Sequence, residues 1–289
     1  MPAMRIFNLD HRLALGVGHD RAADVEKASD GRFGADVQAV YERWDEFAGW
    51  ARAYDGPGEL AVEPGRLGPP VPRPPQVFAI GLNYRDHAAE AGLALPERPL
   101  VFTKFPASIT GPHGNIARPA GSVDFEVELV AVIGRRAERV PAARAWEHVA
   151  GLTAGQDLSE RELQSAGPTP QFSLGKSFAG FAPIGPALVT VDEFADPDDI
   201  AIGCDVNGEA MQRGRTADMI FTIPQLVEHL SAVLPLLPGD LIFTGTPKGV
   251  GIARRPPRLL QVGDELTTRI EGIGEMRHRF THPALRASL

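Results

Sequence analysis

Cysteine is almost absent from this chain of 289 residues, which contains only Cys204. A single cysteine excludes an internal disulfide framework and fits a reducing compartment, so we expect a cytoplasmic protein. No apolar stretch approaches the roughly 18 residues that a membrane helix needs. The residues after Met1 also lack the apolar centre of a signal peptide. We therefore expect neither a membrane partner nor secretion.

Basic residues are outnumbered as well. The chain has 29 Lys and Arg against 37 Asp and Glu, which gives a formal net charge of −8. An acidic chain without a basic run repels phosphate backbones, so nucleic acid is excluded as a partner. Among the basic residues the only lysines are Lys27, Lys104, Lys176 and Lys248. A lysine kept in so arginine-rich a chain indicates a need for a compact ammonium group.

The composition of the chain changes near residue 70. Before it, short strands are predicted at 5–9, 14–18 and 23–28, and a helix with one apolar stripe follows from Val37 to Ala51. We interpret this stripe as a packing face on a small sheet; the alternative is a binding face. The proline-rich segment 67–75 predicts a connecting arm. We therefore predict a small N-terminal α+β domain, 1–70, and a larger domain, 71–289.

The larger domain consists mostly of strands and turns. Strands are predicted at 77–81 and 123–134, and Asn207-Gly208 predicts a tight hairpin. One clear helix follows the capping box Thr222 to Gln225. The pattern predicts a β-rich α+β fold rather than a βαβ repeat.

The segment 123–134 carries the most informative pattern. Alternate side chains of a strand share a face, so Asp124, Glu126 and Glu128 are expected on one side. The strand continues as apolar residues, which predicts a buried end where like charges repel strongly. A bound cation would remove that conflict. The alternative is an edge strand with a solvated acidic face.

A third carboxylate, Asp157, precedes a predicted helix. Ser159 and Glu162 have capping-box spacing, which predicts a helix start there with Arg161 and Gln164 on one face. Three carboxylates without cysteine or paired histidines suit a hard cation: Mg²⁺, Mn²⁺ or Ca²⁺. The alternative is an ordinary helix start with a solvated face.

Two other segments offer chemistry. His87 and Glu90 lie three apart on a predicted helical turn, where the carboxylate can orient the imidazole and raise its basicity. A solvated surface turn is the alternative. The segment 175–177 is not a phosphate loop, because Pro170 stands where the first glycine is needed. The backbone amides of the glycine-rich turn 245–251 could cup a carboxylate.

The order of these motifs is more specific than any one of them. In sequence they are Gly81-Leu82-Asn83-Tyr84, His87 with Glu90, Phe102-Thr103-Lys104, Asp124 to Leu129, Asp157 to Gln164, Gly175 to Phe178, Asn207-Gly208, Gly239-Asp240 and Gly245 to Gly251. In this combination the chain resembles the fumarylacetoacetate hydrolase (FAH) family, in particular bacterial acylpyruvase or 2-hydroxyhepta-2,4-diene-1,7-dioate isomerase-like members. The resemblance covers residues 77 to about 280, and the first 70 residues resemble the small variable domain of many bacterial members.

The resemblance implies a mixed β-sandwich roll, a homodimer and a small-molecule 2-oxo acid substrate. The site residues it implies are the metal ligands Glu126, Glu128 and Asp157, the substrate contacts Arg161, Gln164 and Thr246, and the catalytic residues His87, Glu90 and Lys176. Asp124 belongs to the same motif and is less surely a ligand. Many members carry a polar residue where this chain has Ala179, which changes the expected polarity of the pocket.

The implied reaction is hydrolysis of a C–C bond in a 2,4-dioxo acid, such as an acylpyruvate, with a divalent cation that stabilises the developing enolate. The same site would also serve isomerisation of an unsaturated 2-oxo diacid or decarboxylation of oxaloacetate. A catalytically silent protein that binds 2-oxo acids is the alternative from another class. The sequence leaves these alternatives, the acyl group and the preferred metal open.

Overall fold

The structure is a computed structural model that describes residues 4–18 and 20–283. Strands dominate it, and the α-helices have at most ten residues. The strands are β1 (Arg5–Leu9), β2 (Arg12–Val17), β3 (Arg21–Asp24), β4 (Leu60–Ala61), β5 (Leu67–Gly68), β6 (Val77–Gly81), β7 (Leu100–Thr103), β8 (Ile109–Thr110), β9 (His113–Ala117), β10 (Val123–Asp124), β11 (Val127–Ile133), β12 (Val149–Gln156), β13 (Ser159–Glu160), β14 (Ala182–Val189), β15 (Ala201–Val206), β16 (Glu209–Arg215), β17 (Leu241–Phe243), β18 (Glu265–Ile270) and β19 (Gly274–Thr281). The α-helices are α1 (Val25–Ala28), α2 (Trp44–Ala53), α3 (Arg85–Ala91), α4 (Arg161–Gln164), α5 (Phe172–Gly175) and α6 (Ile223–Ser231).

The strands form three sheets in the described residues. A twelve-stranded sheet follows the order β4-β3-β2-β1-β14-β12-β11-β17-β6-β7, with β5 paired to β1 and β8 paired to β14. A five-stranded sheet has the order β16-β15-β18-β19-β9, and β10 pairs with β13. Most pairs are antiparallel, but β17 runs parallel to β6, β19 parallel to β9 and β14 parallel to β8. The predicted β-rich α+β fold with mixed sheets in a sandwich-like roll is confirmed.

Strand β11 is buried along its whole length and separates two layers of core. Its side chains Val127, Leu129 and Ala131 pack in the core shared with the five-stranded sheet. Val130 and Val132 pack in the layer that contains the aromatic residues of α2. Because alternate side chains share a face, Glu128 lies on the side of Val130 and Val132. The fold thus places an acidic side chain in the covered interior of the large sheet.

The N-terminal strands extend the large sheet. Strand β1 pairs with β14, with Ile6 opposite Leu188, so the first strands do not form the separate small sheet expected from the sequence. The aromatic stripe predicted from Val37 to Ala51 is buried, with Phe47 of α2 fully enclosed and the Tyr41 hydroxyl donating to the Pro70 carbonyl at 2.9 Å. The stripe is therefore a packing face. The predicted helix start at Val37 is wrong, because residues 39–43 form a 3₁₀ turn and α2 begins at Trp44. The division at residue 70 into two domains stays a prediction.

Other local predictions are confirmed or corrected. Asn207 and Gly208 have φ values of 54° and 81° and form the turn between β15 and β16. Helix α6 begins with the predicted capping box at Thr222. The strand predicted at 23–28 is wrong beyond Asp24, whose side chain accepts from the Lys27 amide and starts α1 there. No helix in the described ranges has the length and apolar character to cross a membrane.

The continuous strand predicted at 123–134 is also wrong, because it is broken between β10 and β11. The Asp124 carboxylate accepts from the amide of Phe125 at 2.8 Å. The amide of Glu126 donates to the side chain of Gln156, and that of Val127 donates to the side chain of Gln212. Side-chain acceptors thus replace the backbone partners of a regular ladder at this point. Asp124 therefore ends β10 and is separated by this break from Glu128, which lies within β11.

Candidate metal centre and active-site pocket

Three carboxylates converge where β11 begins and β12 ends. Glu126, Glu128 and Asp157 each offer an oxygen within 4.8 Å of the others, and all three residues are buried. Strands β11 and β12 pair with Glu128 opposite Gly155, and the Asp157 amide donates to the Glu126 carbonyl at 2.9 Å. Antiparallel pairing therefore brings the third carboxylate, about 30 residues away in sequence, beside the first two.

Two buried lysines lie against this cluster. Lys176 Nζ donates to Glu126 at 2.8 Å, to Asp157 at 2.7 Å and to the Ser159 hydroxyl at 2.8 Å. Lys104 Nζ donates to the other Asp157 oxygen at 2.6 Å and to the Lys176 carbonyl. The sequence marked Lys176 as catalytic but assigned no role to Lys104. Its retention in an arginine-rich chain was the available signal.

Asp124 lies outside the cluster and holds Arg161. The Arg161 guanidinium donates to Asp124 at 2.9 and 2.8 Å and forms an ion pair with Glu126 at 2.7 Å. Asp124 also accepts from the backbone amides of Gly251 and Ile252, at 2.7 and 3.0 Å. A carboxylate with this many donors is committed to positioning the arginine.

The helix that carries Arg161 starts one residue later than predicted. Glu160 is the N-cap of α4 and accepts from the amides of Glu162 and Leu163. Ser159 instead donates to the Asp157 carbonyl and accepts from Lys176, so the capping-box prediction at Ser159 is wrong. The expected shared face does form, because Arg161 Nη1 donates to Gln164 at 2.9 Å.

The electrostatics of the cluster suit an added cation. Burial would raise the pKa of Glu126, but the charges of Lys176 and Arg161 outweigh burial and lower it to about 2. Burial and the neighbouring charges of Asp157 and Glu126 raise the pKa of Glu128 well above its usual range. The protein's own cations thus pair with Glu126 and Asp157, whereas no ion pair of Glu128 forms within residues 4–18 and 20–283.

The charges can be counted over the whole centre. Four carboxylates and three cations meet there, namely Asp124, Glu126, Glu128 and Asp157 with Lys104, Arg161 and Lys176. One negative charge remains when all are ionised. An oxygen-only set of buried carboxylates with residual negative charge fits a hard divalent cation.

His87 and Glu90 lie on α3 at the edge of the pocket. His87 Nδ1 lies 3.3 Å from Glu90 Oε2, and the two side chains are 17% and 22% exposed. Both Glu90 oxygens lie 3.0 Å from the amide nitrogen of Gly249, which donates to them. The structure therefore brings the predicted pair together and anchors its carboxylate to the glycine-rich turn.

That turn, residues 245–251, does cup carboxylates, and they are the protein's own. The Gly245 amide donates to Glu128 at 2.8 Å, Gly249 holds Glu90, and Gly251 holds Asp124. Gly249 has φ +101°, and a Cβ there would meet the Met211 carbonyl oxygen. One short segment thus donates backbone hydrogen bonds to the carboxylate cluster, to the partner of His87 and to the carboxylate that binds Arg161. The sequence indicated such a cup without showing which carboxylates it would serve.

Thr246 and Gln164 also line the pocket, as the resemblance implied. The Thr246 hydroxyl is engaged already, since it donates to the Val127 carbonyl and accepts from Gln212, each at 2.8 Å. Ala179 does not line the cavity, so the expected effect of Ala179 on pocket polarity is not supported. Gln156 and Gln212, which hold the break before β11, were missed because no local pattern marks them.

The cavity beside the cluster has a volume of about 220 Å³ and is partly open. His87, Glu126, Glu128, Arg161 and Lys176 all line it. Gly175 allows Lys176 to approach, because a Cβ on Gly175 would lie 2.7 Å from the Gln164 backbone nitrogen. The cavity therefore joins the carboxylate cluster to a histidine that can exchange protons.

Fold and site together define a β-rich protein with a buried cluster of three carboxylates that could hold a metal ion, next to a pocket lined by His87. The family model of the fumarylacetoacetate (FAA) hydrolase C-terminal domain matches residues 76–281. The chain belongs to this family, as the sequence predicted, and with it to a family of metal-dependent enzymes.

Relatives with several activities resemble the chain. Oxaloacetate tautomerase FAHD2A of Bos taurus is 46% identical over 207 residues, which are 71% of this chain and 66% of that protein. The chain thus matches slightly less than two thirds of the length of the curated relatives found first.

Solved structures extend the likeness. A protein from Mycobacterium smegmatis, provisionally named HpcE, is 56% identical, with a TM-score of 0.93 over 96% of this chain and 99% of that chain. Fumarylpyruvate hydrolase from Pseudomonas aeruginosa, in complex with Mn²⁺ and pyruvate, is 33% identical, with a TM-score of 0.66 over 72% of this chain and 90% of that chain.

Proposed function

We propose that this protein is a divalent-metal-dependent hydrolase that cleaves a C–C bond in a 2,4-dioxo acid of the acylpyruvate type. The observation that carries the proposal is that His87, which is paired with Glu90, lines the same cavity as Glu126 and Glu128 of the three-carboxylate cluster. Cleavage needs both a place for the oxo-acid head group and a base for water. This cavity offers both.

Glu126, Glu128 and Asp157 are the residues that would hold the cation, Mg²⁺ or Mn²⁺. When bound, the cation supplies Lewis-acid polarisation of a 2-oxo acid. With it the centre carries one net positive charge, which a single carboxylate neutralises. Arg161 and Gln164 line the cavity and are the candidates to bind that carboxylate, and Lys176 adds positive charge beside it.

His87 is the candidate base. Its Nδ1 faces Glu90, which orients the ring, so Nε2 remains to take a proton from water. The water oxygen adds to the C4 carbonyl, and the C3–C4 bond breaks. The electron pair goes to C3, where protonation yields pyruvate, and the acyl group leaves as a carboxylic acid. General-base assistance of this kind contributes about 10²–10⁴-fold to the rate.

A second candidate, tautomerisation of oxaloacetate, is favoured by the 46% identity to a tautomerase. There the same histidine would carry a proton between C3 and the enol oxygen without C–C cleavage. Isomerisation of an unsaturated 2-oxo diacid and decarboxylation of oxaloacetate use the same groups. Homodimer formation, implied by the resemblance, stays part of the proposal.

A substrate panel separates these reactions. The purified protein is assayed with and without Mg²⁺ or Mn²⁺ against acetylpyruvate and longer acylpyruvates, enol and keto oxaloacetate, and a 2-oxo-heptenedioate, with products identified by NMR. We expect metal-dependent release of pyruvate and a carboxylic acid from an acylpyruvate. Turnover of oxaloacetate alone would favour the tautomerase. Metal-dependent binding with no turnover of any substrate would support the catalytically silent alternative.

A further inference from the structure

The cavity has a charged end and an apolar end. The charged end contains the carboxylate cluster with Arg161 and Lys176. His87, Gln164 and Thr246 are further polar residues of the lining. Most of the remaining wall consists of large apolar side chains, namely Ile80, Leu82, Leu93, Leu100, Phe102 and Phe172. A ligand with a carboxylate head in the charged end would extend its other end along this wall.

The cations that line the cavity are committed to its charged end. All three N–H groups of Lys176 have acceptors within 2.8 Å. Arg161 pairs with Asp124 and Glu126. No other Lys or Arg of residues 4–18 and 20–283 is among the residues that line the cavity. His87 also lines the cavity, but it is the candidate base of the proposed reaction. A carboxylate buried against the apolar side chains would therefore have no permanent cation beside it, which is costly.

The apolar wall is held in place by several contacts. The rings of Phe102 and Phe172 pack edge to face, with centroids 5.5 Å apart, and Lys176 Nζ lies 5.1 Å from the Phe102 centroid. Phe102 therefore marks the boundary between the two ends. The Leu100 side chain packs directly against the Gly81 backbone, because a Cβ on Gly81 would lie 2.9 Å from Leu100 Cδ2.

The backbone conformation of Leu82 is a second observation that indicates a ligand-binding role for this wall. Its φ is +52°, a conformation that bulky L-residues rarely adopt. The neighbouring Asn83 maintains it, since the Asn83 side chain donates to the carbonyls of Thr244 and Phe221 at 2.7 and 3.0 Å. Strain that the surroundings hold in place at a pocket wall is typical of ligand-contacting residues.

We propose that the acid bound here has an apolar, uncharged far end, so that the substrate is a 2-oxo acid with an alkyl or aryl acyl group rather than a second carboxylate. This inference rests on the proposed function and names its substrate class. The proposed substrate differs from oxaloacetate and fumarylpyruvate, the dicarboxylic compounds in the names of the relatives. The affinity gained by burying methylene groups is about four-fold for each one, until the cavity is filled.

Binding of simple 2-oxo acids tests the inference without any turnover. The Mn²⁺-loaded full-length protein is titrated by calorimetry with 2-oxobutanoate, 2-oxopentanoate and 2-oxohexanoate, and with the diacids 2-oxoglutarate and 2-oxoadipate. We expect affinity to rise about four-fold per methylene in the first series. Each diacid should bind at least ten-fold more weakly than the monoacid of equal carbon number. Equal or tighter binding of the diacids would overturn the inference and leave the proposed function standing. If no 2-oxo acid binds, the proposed function fails, and the inference fails with it.

Variants of the apolar wall test which residues set the preference for monoacids over diacids. Leu100→Arg places a cation in the wall on strand β7 and should shift the preference toward 2-oxoadipate by at least ten-fold. Leu93→Arg, in the loop after α3, is a second variant in case the first does not fold. Leu174→Arg is the matched control, because Leu174 is 62% exposed and does not line the cavity. An unchanged preference in folded Leu100→Arg and Leu93→Arg would contradict the assignment of the wall.

The exposed Arg98 provides a further check, since it precedes the lining residue Leu100 by two positions in the sequence but does not line the cavity. Arg98→Ala should leave the preference for monoacids unchanged. If the wild type preferred diacids and Arg98→Ala abolished that preference, this arginine would recognise a second carboxylate and the inference would be wrong.

Discussion

Replacement of Lys176 by arginine asks whether the site needs a compact ammonium or only a positive charge. Lys176 is 2% exposed, and its Nζ donates to Glu126, Asp157 and Ser159 at 2.7–2.8 Å. These acceptors use the three N–H groups of an ammonium. A planar guanidinium is larger and cannot direct its N–H groups at the same three atoms from one point.

The tight packing beside residue 176 leaves little room for a guanidinium. The backbone of Gly175 is held so closely that even a Cβ there would lie 2.7 Å from the Gln164 nitrogen. Overpacking of a buried position costs about 1–3 kcal/mol of folding stability. Loss of a preorganised charged donor at a reacting centre lowers kcat by about 10²–10³-fold. We expect Lys176→Arg to show both effects although the net charge of the protein is unchanged.

The assay compares kcat at saturating Mg²⁺ on a substrate that the wild type converts, together with chemical unfolding of each protein. Lys27→Arg is the matched control, because Lys27 is an exposed residue of α1 far along the chain from the site. We expect its kcat and stability to equal those of the wild type. If Lys176→Arg also keeps full turnover, the geometric argument for an ammonium is refuted, and Lys176 contributes no more than a charge.

Three other predictions concern the same centre. Glu126→Gln removes one ligand charge with little change of shape, so calorimetry should show weaker Mg²⁺ and Mn²⁺ binding, and an unchanged affinity would remove it from the ligand set. His87→Ala and Glu90→Gln should each lower turnover while metal affinity stays the same, since neither residue is a proposed ligand; full activity in both would exclude the pair from the mechanism. Lys104→Met leaves one buried oxygen of Asp157 without its donor and should lower the free energy of unfolding of the metal-free protein by about 3–5 kcal/mol. Because the variant centre is more negative, added Mn²⁺ should raise its melting temperature more than that of the wild type, and equal shifts would contradict this account.

Much of the candidate site could be predicted from residue types and their order. Glu126 and Glu128 are two apart, so any extended backbone places them on one side, and that relation survives the break before β11. His87 and Glu90 are three apart on a helix, which suffices to bring them together. These relations are local, and the chain geometry that sets them does not depend on distant packing.

The role of Asp124 shows where local reasoning fails. It has the same spacing from Glu126 as Glu126 has from Glu128, yet it is turned toward Arg161 and the amides of Gly251 and Ile252. These partners come from two distant segments. A spacing rule assumes a continuous strand, and distant side chains from Gln156 and Gln212 interrupt this one.

The sequence by itself determined the β-rich class, the family, the acidic residues of the cluster and the histidine pair, because each depends on composition, periodicity or the order of short motifs. Only the tertiary structure decided that Lys104 neutralises Asp157, that the turn 245–251 supports three functional groups, and that the first strand joins the main sheet. Pairings between residues that are 53 to 184 positions apart create these relations. Such pairings depend on which elements pack together, and no local pattern in a single sequence records that choice.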